Sequence, residues 1–276
     1  MSDPNLISIQ RPTVANPVPP VQKLEAKFPT EIIDLPSRGW FYPENSPLSS
    51  GKLELKMMTA KEEDILTSKN LIQKHIVLDK LIESVIIDKT VVTDDILVCD
   101  RNALLYAIRR LAYGDEYNAT LSCGRCSKEN NVTIDLAGMG TKEFNFESYP
   151  KGVNSFEFLL PASNVTVTYK LPSKRDEDAI TRELETFAKI SKGGSTKEVT
   201  TRLIHLITSV NGSDDKMKIR RFVSEELLSK DSLALRSHIR TEMPDIINSF
   251  DFTCQYCELE RKEDMPMGIS FFWPDR

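Results

Sequence analysis

Four of the five cysteines fall in two short pairs, Cys123-Gly-Arg-Cys126 and Cys254-Gln-Tyr-Cys257. A CxxC turn sets two sulfurs on one side of a metal ion, and two such turns fill the four-thiolate shell of a structural zinc at roughly 2.3 Å. A shell filled by sulfur leaves no position for water or substrate, which points away from metal-assisted hydrolysis. Familiar ribbons hold about 15 to 20 residues between their pairs, whereas 127 intervene here. Two alternatives therefore stand beside the shared Zn2+: reduced cysteines on separate surface hairpins, and a redox or disulfide pair, which would be unusual in a reducing compartment. Structural zinc supplies about 10 to 16 kcal/mol in small peptides, and closing a loop of about 100 residues costs roughly 4.7 kcal/mol, so one ion can hold this loop shut. Cys99, in the apolar run Ile96-Leu97-Val98-Cys99, is expected to pack in the core.

Other reactive chemistry is sparse. The three histidines, His75, His205 and His238, lie in helical patterns without a nearby cysteine nucleophile or paired acids. No G-x-S-x-G, H-E-x-x-H, P-loop or G-x-G-x-x-G motif occurs. The acids Glu62, Glu63 and Asp64 fit a first helical turn, where the helix dipole favours negative charge. The expectation is a non-enzyme.

The elements that must bring the cysteine pairs together are legible in part. Strand patterns lead into the pairs at 117–121 and 250–253, with expected return strands at 131–136 and 269–272. Leu35-Pro36-Ser37-Arg38-Gly39-Trp40-Phe41-Tyr42-Pro43 reads as turn, and Leu53 to Met57 alternates as a strand. Thr59-Ala60-Lys61-Glu62 has capping-box form ahead of a helical pair reaching Ile87. Asp100 is expected to cap a helix ending near Gly114, with Arg109 and Arg110 flanking its apolar stripe. A hairpin follows at 155–160 and 165–171. Helices then open at Ser173 and Ser195, broken between them by Gly193-Gly194, and further helical stretches run over 222–228 and 231–243.

The expected fold class is α+β: a small β module carrying two zinc knuckles, a helical subdomain inserted between them, and an extended N-terminal arm. Its divisions are a Pro-rich arm (1–30), a strand and turn segment (31–58), a helical segment (59–115), the first knuckle with β hairpins (116–172), the helical subdomain (173–245), and the second knuckle with a C-terminal strand (246–276). Six prolines in the first 30 residues prevent a core there. The arm's Leu6, Ile7, Ile9, Val14 and Val18 suit an extended segment that binds a partner, a disordered leader being the alternative. Trp40, Phe41 and Trp273 are candidate partner anchors, or else pack on their own chain.

With 276 residues, 40% hydrophobic and 28% charged, the chain can bury a sizeable core. A net charge of -5 gives no global attraction to phosphate backbones, so nucleic acid is an unlikely partner. The clusters Arg109-Arg110 and Lys218-Ile219-Arg220-Arg221 read as helix faces or ion pairs. Neither a signal peptide at Met1-Ser2-Asp3-Pro4 nor a membrane-length apolar run is evident.

Several of these pieces, in this order, resemble the T4-like bacteriophage baseplate protein family, also called baseplate hub or hub assembly proteins. They are Leu35-Pro36-Ser37-Arg38-Gly39 with Tyr42, the segment Met58 to Leu66, Ile108-Arg109 and Tyr113-Gly114, Asp231 with Leu235-Arg236, and Cys254-x-x-Cys257 followed by Phe271-Phe272-Trp273-Pro274. The likeness runs from about Ile32 to Pro274. It implies a non-enzymatic part in the baseplate hub of a contractile-tail phage, other baseplate and tail proteins as partners, residence in the virion tail baseplate, and assembly in the host bacterial cytoplasm. A zinc-ribbon nucleic-acid-binding module is the alternative function.

Overall fold

The computed structural model describes residues 29–190, 197–265 and 267–272. The calls on Leu6, Ile7, Ile9, Val14, Val18, Gly193-Gly194, Ser195 and Trp273 lie outside the described residues. Strand β1 (Thr30–Asp34) pairs antiparallel with β2 (Lys52–Lys56), whose Leu53 and Leu55 alternate inward. Between them the chain doubles back through Gly39 at φ 71 and Gly51 at φ 71. A Cβ on Gly39 would fall 2.5 Å from Gly51 N and Ser49 O, so glycine is required for both its φ and its space.

Helices α1 (Ala60–Thr67), α2 (Lys69–Gln73) and α3 (Val77–Val85) follow. The capping box forms as expected, Glu62 Oε2 accepting from the Thr59 N–H at 2.9 Å. Helix α4 (Val98–Tyr113) buries Leu104, Leu105 and Ile108. It begins two residues before Asp100, with Leu97 at its cap, so the expected capping role of Asp100 is corrected; its carboxylate is used elsewhere.

Two hairpins carry the cysteine pairs: β3 (Glu116–Ser122) with β4 (Glu129–Asp135), and, near the end of the chain, β8 (Ser249–Thr253) with β9 (Glu260–Asp264). Between them lie β5 (Phe156–Leu159), β6 (Thr166–Tyr169), α5 (Lys174–Ile190), α6 (Glu198–Leu206), β7 (Ile207–Val210), α7 (Lys216–Arg221) and α8 (Ser229–Glu242), with β5, β6 and β7 forming one antiparallel sheet. Ser173 and Asp176 exchange side-chain and backbone bonds at the start of α5.

The expected C-terminal strand at 269–272 is instead a 3-10 turn, Ile269–Phe272. The true return strand is β9, whose Glu-Arg-Lys-Glu-Asp sequence has no apolar alternation to announce it. Phe271 and Phe272 are buried, Phe271 packing edge-on to Tyr117. One large apolar core joins Leu35, Leu55, Leu104, Phe156, Leu203, Leu235 and Phe272, and Cys99 is buried in it as expected. A second, small core of Cys123, Phe252 and Cys254 sits at the tips of the two cysteine hairpins.

Candidate metal centre

Each cysteine pair is held by the same local geometry. Cys123 N–H donates to Lys128 O at 2.9 Å and Ser127 N–H to Cys123 O at 2.8 Å; Cys254 N–H donates to Leu259 O at 3.0 Å and Glu258 N–H to Cys254 O at 3.0 Å. Ser127 and Glu258, each directly after a pair's second cysteine, are both left-handed, at φ 57 and 56. Adding 131 to any position in the first hairpin tip (Ser122, Cys123, Cys126, Ser127, Glu129) gives its structural counterpart in the second (Thr253, Cys254, Cys257, Glu258, Glu260). The two tips are thus copies of one turn. Beyond the cysteines, few residues match between the copies, which is why the repeat hardly shows in the letters.

The tips meet through their polar groups. Asn130, 1% exposed, accepts from the Gln255 N–H at 2.8 Å and donates to Lys128 O at 2.9 Å. At the mirrored position the Arg261 guanidinium lies over residue 124, where a Cβ would fall 2.7 Å from its Nη1, so a larger residue there would have to move the arginine's flexible end.

All four sulfurs lie within 4.8 Å of one another. Cys123 and Cys257 are 3.6 Å apart, and Cys126 and Cys254 3.7 Å. A tetrahedral ion with sulfur ligands at ~2.3 Å has sulfur–sulfur edges of about 3.8 Å, so the set has the size of a zinc shell. All five cysteines are free thiols. Burial alone would push the Cys254 thiol up, but the backbone N–H groups of Tyr256 and Cys257 bring it down to about 6. The N–H groups of Cys126 and Arg125 likewise lower Cys123. For Cys257 the Leu259 N–H lowers the thiol, yet burial and the three neighbouring sulfurs push it up to about 12. Backbone donors thus favour thiolates while mutual repulsion opposes them, a conflict that a divalent cation among the sulfurs removes.

The aromatic candidates sit elsewhere. Phe41 is enclosed by Phe144, Phe146, Tyr149 and Phe156, with ring centroids 5.0 to 6.5 Å away, and has no face to offer a neighbour. Its expected anchoring role is corrected: the turn around it is itself covered by the 144–156 segment. Trp40 is half-buried, and its indole N–H donates to Tyr149 O at 2.9 Å. The basic clusters are engaged within the chain: Arg110 with Asp115, Arg220 with Glu183, and Arg221 with Glu225. Arg109 goes further than a flanking residue. It is fully buried, its Nε donating to Phe271 O at 3.0 Å and its Nη groups to Gly114 O and Glu116 O, with Tyr113 and Tyr117 beside its plane.

The sequence reading missed a set of buried polar struts. Asp100 accepts from Ser37 N–H at 2.9 Å, Ser37 Oγ–H at 2.6 Å and Tyr42 Oη–H at 2.6 Å. Asp231 accepts from the N–H groups of Ala162 and Ser163, pinning the β5–β6 turn to α8. Glu62 accepts from Lys56, Ser84 and Thr59.

Fold and site together define a mixed α+β protein with a closed four-cysteine cluster where two hairpins meet. Residues 42–273 match the family described as T4 bacteriophage base plate protein, and the chain belongs to that family. No curated protein and no solved structure matches it. Membership points to a structural protein of the phage baseplate, to a place in the virion tail and to contacts with other baseplate proteins. Among the described residues no helix is long and apolar enough to cross a membrane.

Proposed function

We propose that this chain is a structural or assembly protein of the baseplate hub of a contractile-tail phage, made in the host cytoplasm, in which Cys123, Cys126, Cys254 and Cys257 hold one structural Zn2+. Family membership supports the baseplate role, and the single observation that carries the metal is the convergence of four sulfurs at tetrahedral spacing. In this reading the ion fastens the two halves of a small β module, with residues 173–245 as a helical insertion between them. The N-terminal arm, through Leu6, Ile7, Ile9, Val14 and Val18, binds other hub and tail proteins, with Trp40 and Trp273 as further anchors. Four sulfurs close the ion's shell, so its work is mechanical: it ties the middle of the chain to the end in a reducing compartment where a disulfide would not persist.

Two measurements test this. Native mass spectrometry of the purified chain should show one zinc per chain, absent from Cys254→Ser; no bound metal would remove the clasp. Deleting residues 1–28 should leave a folded, zinc-loaded protein that fails to enter baseplates, and normal incorporation would remove the arm from the mechanism.

A further inference from the structure

The four sulfurs are not equivalent. Cys123 and Cys254 are 2% and 1% exposed, whereas Cys126 and Cys257 are half-buried. Each turn therefore carries one sealed sulfur and one that solvent can reach. The asymmetry comes from the turn: its first cysteine ends a ladder, bonded to Lys128 O and the Ser127 N–H in one tip and to Leu259 O and the Glu258 N–H in the other, and belongs to the small core with Phe252. The second cysteine packs only at the margin of that core. Two sulfur–sulfur contacts cross from one hairpin to the other, Cys123 to Cys257 at 3.6 Å and Cys126 to Cys254 at 3.7 Å. Each contact joins a sealed sulfur of one turn to a reachable sulfur of the other.

Within a turn, the backbone opposes a bond between the two cysteines. The Arg125 N–H donates to Cys123 Sγ at 3.4 Å, and the N–H groups of Tyr256 and Cys257 serve Cys254 Sγ. A bond inside the turn would draw the sealed sulfur off these donors, whereas a bond to the opposite hairpin needs a shift of only about 1.6 Å along an existing contact to reach disulfide length. Protein bonds also hold the tips face to face without an ion: Gln255 donates from its backbone to the Asn130 side chain at 2.8 Å and from its side chain to Asn131 O at 3.4 Å. A virion part made in a reducing cytoplasm ends in surroundings that oxidise thiols, and its reachable sulfurs are the ones open to thiol–disulfide exchange.

We infer that the four cysteines are also a modification site, at which a small-molecule disulfide converts the cluster into two cross-hairpin bridges, Cys123 to Cys257 and Cys126 to Cys254. In each round a reachable thiolate, Cys257 or Cys126, attacks one sulfur of the oxidant, forms a mixed disulfide and expels one oxidant thiolate. The sealed thiolate facing it, Cys123 or Cys254, then attacks the chain's sulfur in that mixed disulfide and expels the second oxidant thiolate. Two chain thiolates are oxidised, and one oxidant disulfide is reduced to two thiols that take up protons from water. Two rounds consume all four ligands and so release the Zn2+. This rests on the four-thiolate reading of the site and states its fate outside the cell: the tie between the middle and the end of the chain becomes covalent as the metal is lost.

The test treats the full chain, isolated under reducing conditions, with excess glutathione disulfide. Four of the five free thiols should disappear, Cys99 staying reduced in the core, and one zinc per chain should pass to a chromogenic chelator. Trypsin after Arg125 and chymotrypsin after Tyr256 separate the two cysteines of each turn, so mass spectrometry of the unreduced digest reads the pairing directly. It should show Cys123 with Cys257 and Cys126 with Cys254, and Cys126→Ser should form the Cys123 to Cys257 bridge alone. Protease should cut the tips of the oxidised, zinc-free chain at least ~10-fold more slowly than those of the reduced chain stripped by chelator, and dithiothreitol should abolish the difference. Bridges within the turns, a Cys123 to Cys254 bridge, glutathione adducts without chain bridges, or thiols untouched by the oxidant would each overturn the inference, and zinc bound before oxidation would then leave the proposed function standing. A chain isolated without zinc that still formed the two cross bridges would refute the zinc reading and support the bridges.

Discussion

Asp100 offers the sharpest test of the buried struts. It is 0% exposed and accepts three hydrogen bonds from Ser37 and Tyr42, residues that lie 63 and 58 positions earlier in the chain. Asp100→Ala leaves the Ser37 N–H without a partner, because a backbone donor cannot turn away as a hydroxyl can. Breaking a buried charged network by removing one member costs about 3 to 5 kcal/mol, and about 2 to 4 °C in Tm per kcal/mol in a protein of this size gives a fall of roughly 6 to 20 °C. Asp100→Asn keeps one acceptor oxygen, and its amide can donate to a reoriented hydroxyl, so its cost near neutral pH is about 1 to 2 kcal/mol. The pH dependence separates the two states of the carboxyl. Burial raises the Asp100 pKa despite the bonds from Ser37 and Tyr42. The folded state therefore binds this proton more tightly than the unfolded one, and wild type gains stability from Asp100 as pH falls from neutral toward the unfolded carboxylate value. The asparagine variant has no such gain, so the gap between them should widen on acidification. Chemical denaturation at several pH values measures this directly. An alanine variant within about 1 kcal/mol of wild type, or an asparagine gap independent of pH, would refute the strut.

Glu62 has the opposite sign: burial raises its pKa, but Lys56, Ser84 and Thr59 bring it down to about 2, so its contribution is present above about 4.5 and lost as pH falls toward about 2. Glu62→Gln should remove roughly 3 kcal/mol of that acid dependence, read from the slope of stability between those values. Gly39→Ala, with φ 71 and backbone 2.5 Å from the new methyl, should cost about 1 to 3 kcal/mol in denaturant unfolding. Chelating the proposed metal should loosen the hairpin tips, exposing Phe252 and the loops after Cys123 and Cys254 to protease, while amide protection in α3 and α4 persists because no fully buried residue belongs to both cores and only the half-buried Val132 and Phe250 pack against both. Simultaneous loss of both would show the two cores to be one cooperative unit.

How much of this could be read beforehand depends on whether a residue's partner lies near it in sequence. The cysteine pairs, the Thr59 to Glu62 box, the strands entering each cysteine turn and the β5–β6 hairpin are set by neighbours within a few positions, and their signals were plain. Strand β9 was hidden because its inward positions carry Arg261 and Glu263, whose guanidinium and carboxylate pair with each other beside Phe252 instead of supplying apolar alternation. Phe271 and Phe272 looked like strand because both are apolar. Phe271 is buried against Tyr106, Tyr117 and Arg109, more than 150 positions away, Phe272 packs edge-on to Phe271, and a 3-10 turn presents both rings to the core. Asp100 looked like a cap for the same reason: nothing within ten residues of it supplies its three donors.

The segments that carried the family resemblance now have a physical reading. Ser37 and Tyr42 are bound to Asp100; Glu62 gathers Lys56, Ser84 and Thr59; Arg109 holds Phe271 O; Asp231 pins the β5–β6 turn; and the cysteines converge at the hairpin tips. Each of these groups joins segments distant in sequence. An apolar contact tolerates sliding, whereas a buried carboxylate or guanidinium without its partners costs several kcal/mol, so such struts fix one arrangement of the segments they join. The struts also account for loose motifs whose specificity lies in their order: each short motif supplies one end of a strut, and the other end lies in another segment of the chain.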